Sequence, residues 1–240
     1  MSTPHSKAAL TFEEVRAVSP TLEKYTLDVI VGDLWKRPGL SPRDRSIATL
    51  SALIARNQTI GMLYYFNLAL DNGVTPAEIS EIITHMAFYA GWPNAFSAVA
   101  IVKDIFAERG VDSSVLPVLQ PELLSLDKVV PEEAFRVEFI KGNVEPVSDI
   151  FAKYTGDLLY HEVWLRPGLT PRDRSLVTVA ALIALGSTQF LGLYLNRALG
   201  HGLTKEQVAE LLAHLSFYSG WPNLISASLA VKEIFGTNAS

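Results

Sequence analysis

The sequence has no cysteine. Disulfides, thiolate nucleophiles and sulfur-ligated metals are therefore excluded chemically, and a thiol peroxidase with them. Clusters of lysine and arginine are also missing: 20 basic residues stand against 25 acidic ones, for a net charge of −5 and a pI near 5.6. That balance lacks the electrostatic footprint of nucleic-acid or anionic-membrane binding. Low-complexity sequence is absent too. The opening residues, Met1 to Lys7, lead into neither a signal-peptide core nor a spanning segment, which points to the cytoplasm. One uncharged run, Ser175 to Asn196, is long enough to cross a bilayer. Its middle, Gly186-Ser-Thr-Gln189, is a turn signal, so two short buried helices joined by a turn are expected instead of a span.

What is present is written twice. Trp35 to Ser46, W-K-R-P-G-L-S-P-R-D-R-S, returns as Trp164 to Ser175, W-L-R-P-G-L-T-P-R-D-R-S. His85 to Asn94, H-M-A-F-Y-A-G-W-P-N, returns as His214 to Asn223, H-L-S-F-Y-S-G-W-P-N, and both pairs keep a shift of 129 residues (164 less 35). The organisation expected is an N-terminal arm with the first repeat over 1–110, a connecting helical segment over 111–153, and a second repeat over 154–240. Each copy must bury its apolar face largely against the other or against a partner chain.

No segment alternates apolar and polar residues, whereas helix punctuation recurs, so the fold class expected is all-α. Ser41-Pro42-Arg43-Asp44 and Thr170-Pro171-Arg172-Asp173 are start signals: an N-cap, a proline at the first helical position, then an acidic residue. Asn72-Gly73 and His201-Gly202 mark the ends of second helices. Thr75 to Glu78 and Thr204 to Gln207 open third helices, which Gly91-Trp92-Pro93 and Gly220-Trp221-Pro222 should bend or break.

On the third helix Glu81, His85 and Tyr89 are four residues apart and share a face, as do Glu210, His214 and Tyr218. A glutamate one turn away can hold an imidazole in one tautomer and raise its basicity, the arrangement of a general base; the alternative is a histidine that bridges buried helices. Two ligands at this spacing are only a fragment of a metal site, so no metal is expected. Arg43, Arg45, Arg172 and Arg174 fall in the first turn of a helix, where the dipole disfavours them. They either pair with a neighbouring helix or subunit or grip a substrate carboxylate. Trp92 and Trp221, at matched positions, are anchors of a core or interface, or pocket walls. Tyr65 and Tyr194 are matched polar aromatics, followed two residues later by Asn67 and Asn196. Their hydroxyls can polarise a carbonyl or be satisfied by backbone.

R-P-G-L-[ST]-P-R-D-R-S, the turns N-G-V-T and H-G-L-T, and F-Y-[AS]-G-W-P-N, each present in order in both copies, resemble the carboxymuconolactone decarboxylase family in a tandem-repeat form. The resemblance implies the alkylhydroperoxidase D-like all-α fold. Because single-domain members form rings of six, it also implies a homo-oligomer here, a trimer imitating a hexamer. Members include cofactor-free decarboxylases of small lactone acids, Cys-x-x-Cys peroxidases and tailoring enzymes of secondary metabolism. Related sequences carry E-x-H on the second helix, where this chain has Leu63 and Tyr65, then Gly192 and Tyr194.

The expectation is a lyase or isomerase needing no cofactor, acting on a small oxygenated carbonyl, lactone or carboxylic acid, including aromatic or polyketide-like metabolites. Tyr65 or Tyr194 would be the acid and His85 or His214 the base, oriented by Glu81 or Glu210. Arg43, Arg45, Arg172, Arg174, Trp92, Trp221, Asn67 and Asn196 would contact substrate. The alternative is a non-catalytic ligand-binding or assembly module that has lost the proton relay.

Overall fold

The computed structural model describes residues 10–237; the first nine residues, including His5 and the opening that points to the cytoplasm, lie outside the described residues. No strand occurs among the described residues. Two short helices, α1 (Phe12–Val18) and α2 (Pro20–Tyr25), lead into the first repeat, α3 (Pro42–Ala55), α4 (Thr59–Asp71), α5 (Pro76–Ala90) and α6 (Trp92–Glu108). The connecting segment holds α7 (Leu126–Val129), α8 (Glu133–Asn143) and α9 (Asp149–Tyr154), and the second repeat holds α10 (Pro171–Leu185), α11 (Leu191–Gly200), α12 (Lys205–Ser219) and α13 (Trp221–Thr237). Each repeat is entered through a single π-helical turn, Thr26–Val31 or Thr155–Tyr160, at the same shift of 129.

The start signals act as written. Ser41 Oγ accepts from the Asp44 amide at 3.0 Å and Thr170 Oγ1 from the Asp173 amide at 3.1 Å. Thr75 with Glu78, and Thr204 with Gln207, form capping boxes. The third helices end at Gly91 (φ 89°) and Gly220 (φ 85°), a backbone conformation that suits glycine. The asparagine that closes each F-Y-x-G-W-P-N motif returns to the first helix of its own repeat. Asn94 Nδ2 donates to the carbonyl of Ala55 at 3.0 Å and Asn223 Nδ2 to that of Ala184 at 3.1 Å, satisfying carbonyls at the C-terminal end of α3 and α10.

Helices α3 and α10 lie against each other at the centre of one core that draws on both repeats. Both are buried nearly all round, which explains why the uncharged Ser175 to Asn196 run looked long enough to span a membrane. It is broken by a turn at Gly186 (φ 71°), and no helix among the described residues is long and apolar enough to cross a membrane. The helix starts of α3 and α10 carry partial positive charge. There Arg43 pairs with Asp173 at 2.8 Å and Arg172 with Asp44 at 2.8 Å, reciprocal bridges that tie one repeat to the other. Helix α5 packs on α10 and α12 packs on α3, so each third helix reaches into the opposite repeat.

Candidate functional site

That exchange builds two matched polar clusters. In the first, Trp35, Arg37, Arg45, Thr49 and Tyr65 of the first repeat meet Glu210, His214 and Tyr218 of the second. In the other, Trp164, Arg166, Arg174, Thr178 and Tyr194 meet Glu81, His85 and Tyr89. The Glu-His-Tyr stripe therefore always serves the cluster of the other copy.

The glutamates face arginines, not their neighbouring histidines. Glu210 takes Arg37 Nε at 2.7 Å and Arg45 Nη2 at 2.9 Å; Glu81 takes Arg166 Nε at 2.8 Å and Arg174 Nη2 at 3.1 Å. The Arg37 hydrogen bond, with Arg45 behind it, holds the Glu210 carboxyl below the ordinary carboxylate range. The R-P-G-L glycine makes this approach possible: a Cβ at Gly168 would lie 2.6 Å from Glu81 Cγ, and one at Gly39 2.8 Å from Glu210 Cγ.

Both histidines are fully buried, with both ring nitrogens engaged. Arg45 Nη1 lies 3.3 Å from His214 Nδ1, and because a guanidinium only donates, Nδ1 accepts and Nε2–H donates to Thr49 Oγ1 at 2.8 Å. His85 repeats this with Arg174 at 3.4 Å and Thr178 at 2.8 Å. Burial and the Arg45 charge push His214 down to about 3, and burial with Arg174 pushes His85 well below its ordinary value. Both imidazoles are thus neutral and serve as packing surfaces. His214 lies 5.0 Å from the Tyr218 ring and 5.2 Å, edge-on, from Trp35.

In front of each histidine runs a chain of donors. The Trp35 indole donates to Tyr218 Oη at 2.8 Å, and Tyr218 Oη is 2.9 Å from Tyr65 Oη. Trp164 donates to Tyr89 Oη at 2.9 Å, Tyr89 to Tyr194 Oη at 3.2 Å, and Tyr194 Oη lies 2.9 Å from Tyr160 Oη. Burial pushes the hydroxyls of Tyr65, Tyr218, Tyr89 and Tyr194 up, so all four stay protonated and able to donate. Each chain ends at a cavity between the lead-in helices and the second helix of its repeat. The first, of about 690 Å³, is lined by Trp35, Tyr64 and Tyr65 and by Thr26, Ile30 and Ile60 among others, none of them charged. The second, of about 460 Å³, is lined by Tyr89, Tyr160 and Tyr194 with Arg136 as its one arginine.

Of the residues singled out from sequence, Tyr65 and Tyr194 reach the cavities, whereas His85, His214, Glu81 and Glu210 stand behind them. Arg43, Arg45, Arg172 and Arg174 are held in the ion pairs described, the first of their two sequence readings. Trp92 and Trp221 lie elsewhere: at the first positions of α6 and α13 their rings are 50% and 56% exposed, edge-on against Phe88 and Phe217. Asn67 donates to the Leu63 carbonyl and accepts from Arg109, and Asn196 is exposed. Neither lines either of these two cavities. Arg37 and Arg166, in the repeated motif, could be read from sequence only as further positive charge near the Arg-Asp-Arg turn, without their glutamate partners; sequence reasoning missed Tyr160 and Arg197, which have no repeat signal because Val31 and Leu68 occupy the matched positions. No group of three metal-ligating residues is found among the described residues.

A family model described as the carboxymuconolactone decarboxylase family matches residues 20–104 and again 150–233. The chain is similar to 4-carboxymuconolactone decarboxylase of Acinetobacter baylyi, 37% identical over 109 residues, which is 44% of this chain and 81% of the relative. It is also similar to nitrosuccinic acid decarboxylase npaB of Metarhizium robertsii, 35% identical over 72 residues, 30% of this chain and 50% of the relative. The chain thus spans only half the length of that second protein.

Proposed function

Because this chain belongs to the carboxymuconolactone decarboxylase family, we propose that it is a decarboxylase-type lyase whose tyrosine-floored cavities take a small oxygenated carbonyl compound. Lactones, carboxylic acids and aromatic or polyketide-like metabolites fall within that class. The observation that carries this reading is the donor chain from Trp35 through Tyr218 to Tyr65 at the floor of an uncharged cavity. An indole only donates, so Tyr218 accepts from Trp35 and can pass its own proton to Tyr65 Oη, leaving the Tyr65 hydroxyl free to donate into the cavity.

Loss of carbon dioxide moves the electron pair of the breaking C–C bond onto a neighbouring carbonyl oxygen, and the resulting enolate then takes up a proton. A hydroxyl aimed at that oxygen stabilises the developing charge, and low surrounding polarity strengthens the interaction. In this reading no cofactor is required, and His85 and His214 are positioning residues that hold the tyrosine and tryptophan rings.

Tyr65→Phe keeps the ring and removes the donor. The expected result is a fall in kcat of about 10²–10³, comparable to losing one oxyanion donor, with little change in melting temperature. Carbon dioxide release from 4-carboxymuconolactone and from aromatic β-keto acids is the measurement. Unchanged turnover in Tyr65→Phe together with Tyr194→Phe would remove the tyrosines from the chemistry. A non-catalytic binding module is the second reading, favoured by the pairing of the clusters' charged groups. Saturable binding without turnover across those substrates would establish it.

We further propose that copies of the chain associate, as a trimer imitating a six-unit ring. Trp92 and Phe96 on α6, and Trp221 and Ile225 on α13, expose apolar side chains at matched positions in both repeats.

A further inference from the structure

The two cavities are related by the repeat, yet their floors differ. Val31 of the first lining is matched by Tyr160 in the second, and Leu68 of the first lining is matched by Arg197, which packs on the Tyr160 and Tyr194 rings without lining the second cavity. Tyr160 is almost wholly buried and accepts or donates at Tyr194 Oη, occupying the place where Tyr65 in the first cavity faces open volume. Two guanidinium groups hold its ring, that of Arg136 at 4.4 Å and that of Arg197 at 5.3 Å from the centroid. Arg197 is itself packed on the Trp164 ring at 4.4 Å and tied to Glu132 of the connecting segment.

That segment has a second effect. The Leu124 amide donates to the Leu165 carbonyl at 2.8 Å, and Val129 and Val130 bury themselves against Tyr160 and Trp164. Trp164 is therefore sealed and does not line its cavity, whereas Trp35 lines the first. The paired arginines show the same contrast: Arg37 is 45% exposed and Arg166 only 12%.

We infer that the two sites are unequal: the first cavity is the binding site, for the ring of one phenol- or quinone-type compound per chain, and the second, smaller cavity is a copy whose tyrosine donor is already taken by Tyr160. The uncharged lining of the first cavity takes the ring of a ligand, and a carboxylate borne on that ring stays toward the open mouth, since burying an unpaired charge is costly. In the second, the Tyr194 hydroxyl is already matched by Tyr160, so a ligand would have to displace that contact and the two arginines packed on it. This inference uses the cavity named in the proposed function but does not depend on turnover.

The probe is 2-naphthol, an uncharged phenol, measured by equilibrium dialysis against the full chain. One molecule per chain is expected. Val31→Tyr, which imports the residue of the second copy at a half-exposed position, should weaken binding at least tenfold while leaving the melting temperature near that of the natural chain; Phe139→Ala, which alters the lining of the second cavity alone, should leave binding unchanged. Tyr160→Val, if it folds, should raise the stoichiometry to two. Two equal sites in the unaltered chain, loss of binding in Phe139→Ala but not in Val31→Tyr, or no binding of 2-naphthol at all would each overturn the inference. Single-site binding without decarboxylation would sink the lyase reading alone; decarboxylation with two equal sites would sink only this one.

Discussion

At the scale of single residues, the buried histidines make a prediction about acid. In the folded chain His214 is pushed down to about 3 and His85 well below its ordinary 6.5, while in the unfolded chain both titrate near that ordinary value. Below about pH 6.5 the unfolded state therefore binds protons that the folded state refuses. The contribution to stability is complete above that pH and is lost as pH falls toward the folded values. By pH 5 His214 should have removed about 2 kcal/mol, and His85 acts in the same direction. The expected observation is a urea midpoint well below its pH 7 value at pH 5, with part of the difference abolished in His214→Gln. A flat profile between pH 7 and 5 would mean that the imidazoles are not held neutral by their arginine and threonine partners. The same residues show how a face can be legible while its use is not. Spacing placed Glu81, His85 and Tyr89 on one side of α5, but it carries no information on what that side meets. The neighbour turned out to be α10 of the other copy, whose Arg174 takes both the glutamate and the histidine.

At the scale of elements, the loop of R-P-G-L is pressed against the third helix of the opposite repeat, and the two copies are not equally tight. Glu81 is fixed by Arg166 and Arg174, both largely buried, so it cannot swing away from a methyl group at Gly168. Gly168→Ala should lower stability by about 1–3 kcal/mol. Gly39→Ala should cost less, because Glu210 is held by the half-exposed Arg37 and has room to shift. Chemical denaturation of both variants checks the order; equal and negligible effects would contradict the close approach. Helix starts, the glycine stops and the turn at Gly186 could all be read from sequence, since each depends on a few adjacent residues. The π-helical turns and the covering role of Val129 and Val130 could not, because they depend on contacts formed far along the chain. Trp92 and Trp221 illustrate the same limit: repetition marked them as important but could not distinguish an inner wall from an outer surface.

At the scale of the whole molecule, the exposed rings on α6 and α13 lie too close to matched positions to be scattered surface residues. For the proposed association, Phe96→Asp with Ile225→Asp should leave single chains by light scattering without unfolding them, since both side chains are exposed, and a single-chain mass for the unaltered protein would remove that proposal. An unchanged mass would place the association surface elsewhere.

The exchange of third helices between repeats has a consequence for how such a molecule can change. In a pair of separate identical subunits each site would borrow a helix from its twin, dilution would empty both sites, and every substitution would arrive in both at once. Covalent joining fixes the lender at a constant effective concentration. It also gives each site its own text, so that valine can stand at 31 while tyrosine stands at 160. A fused chain can thus leave one tyrosine facing its cavity while a neighbouring tyrosine engages the other.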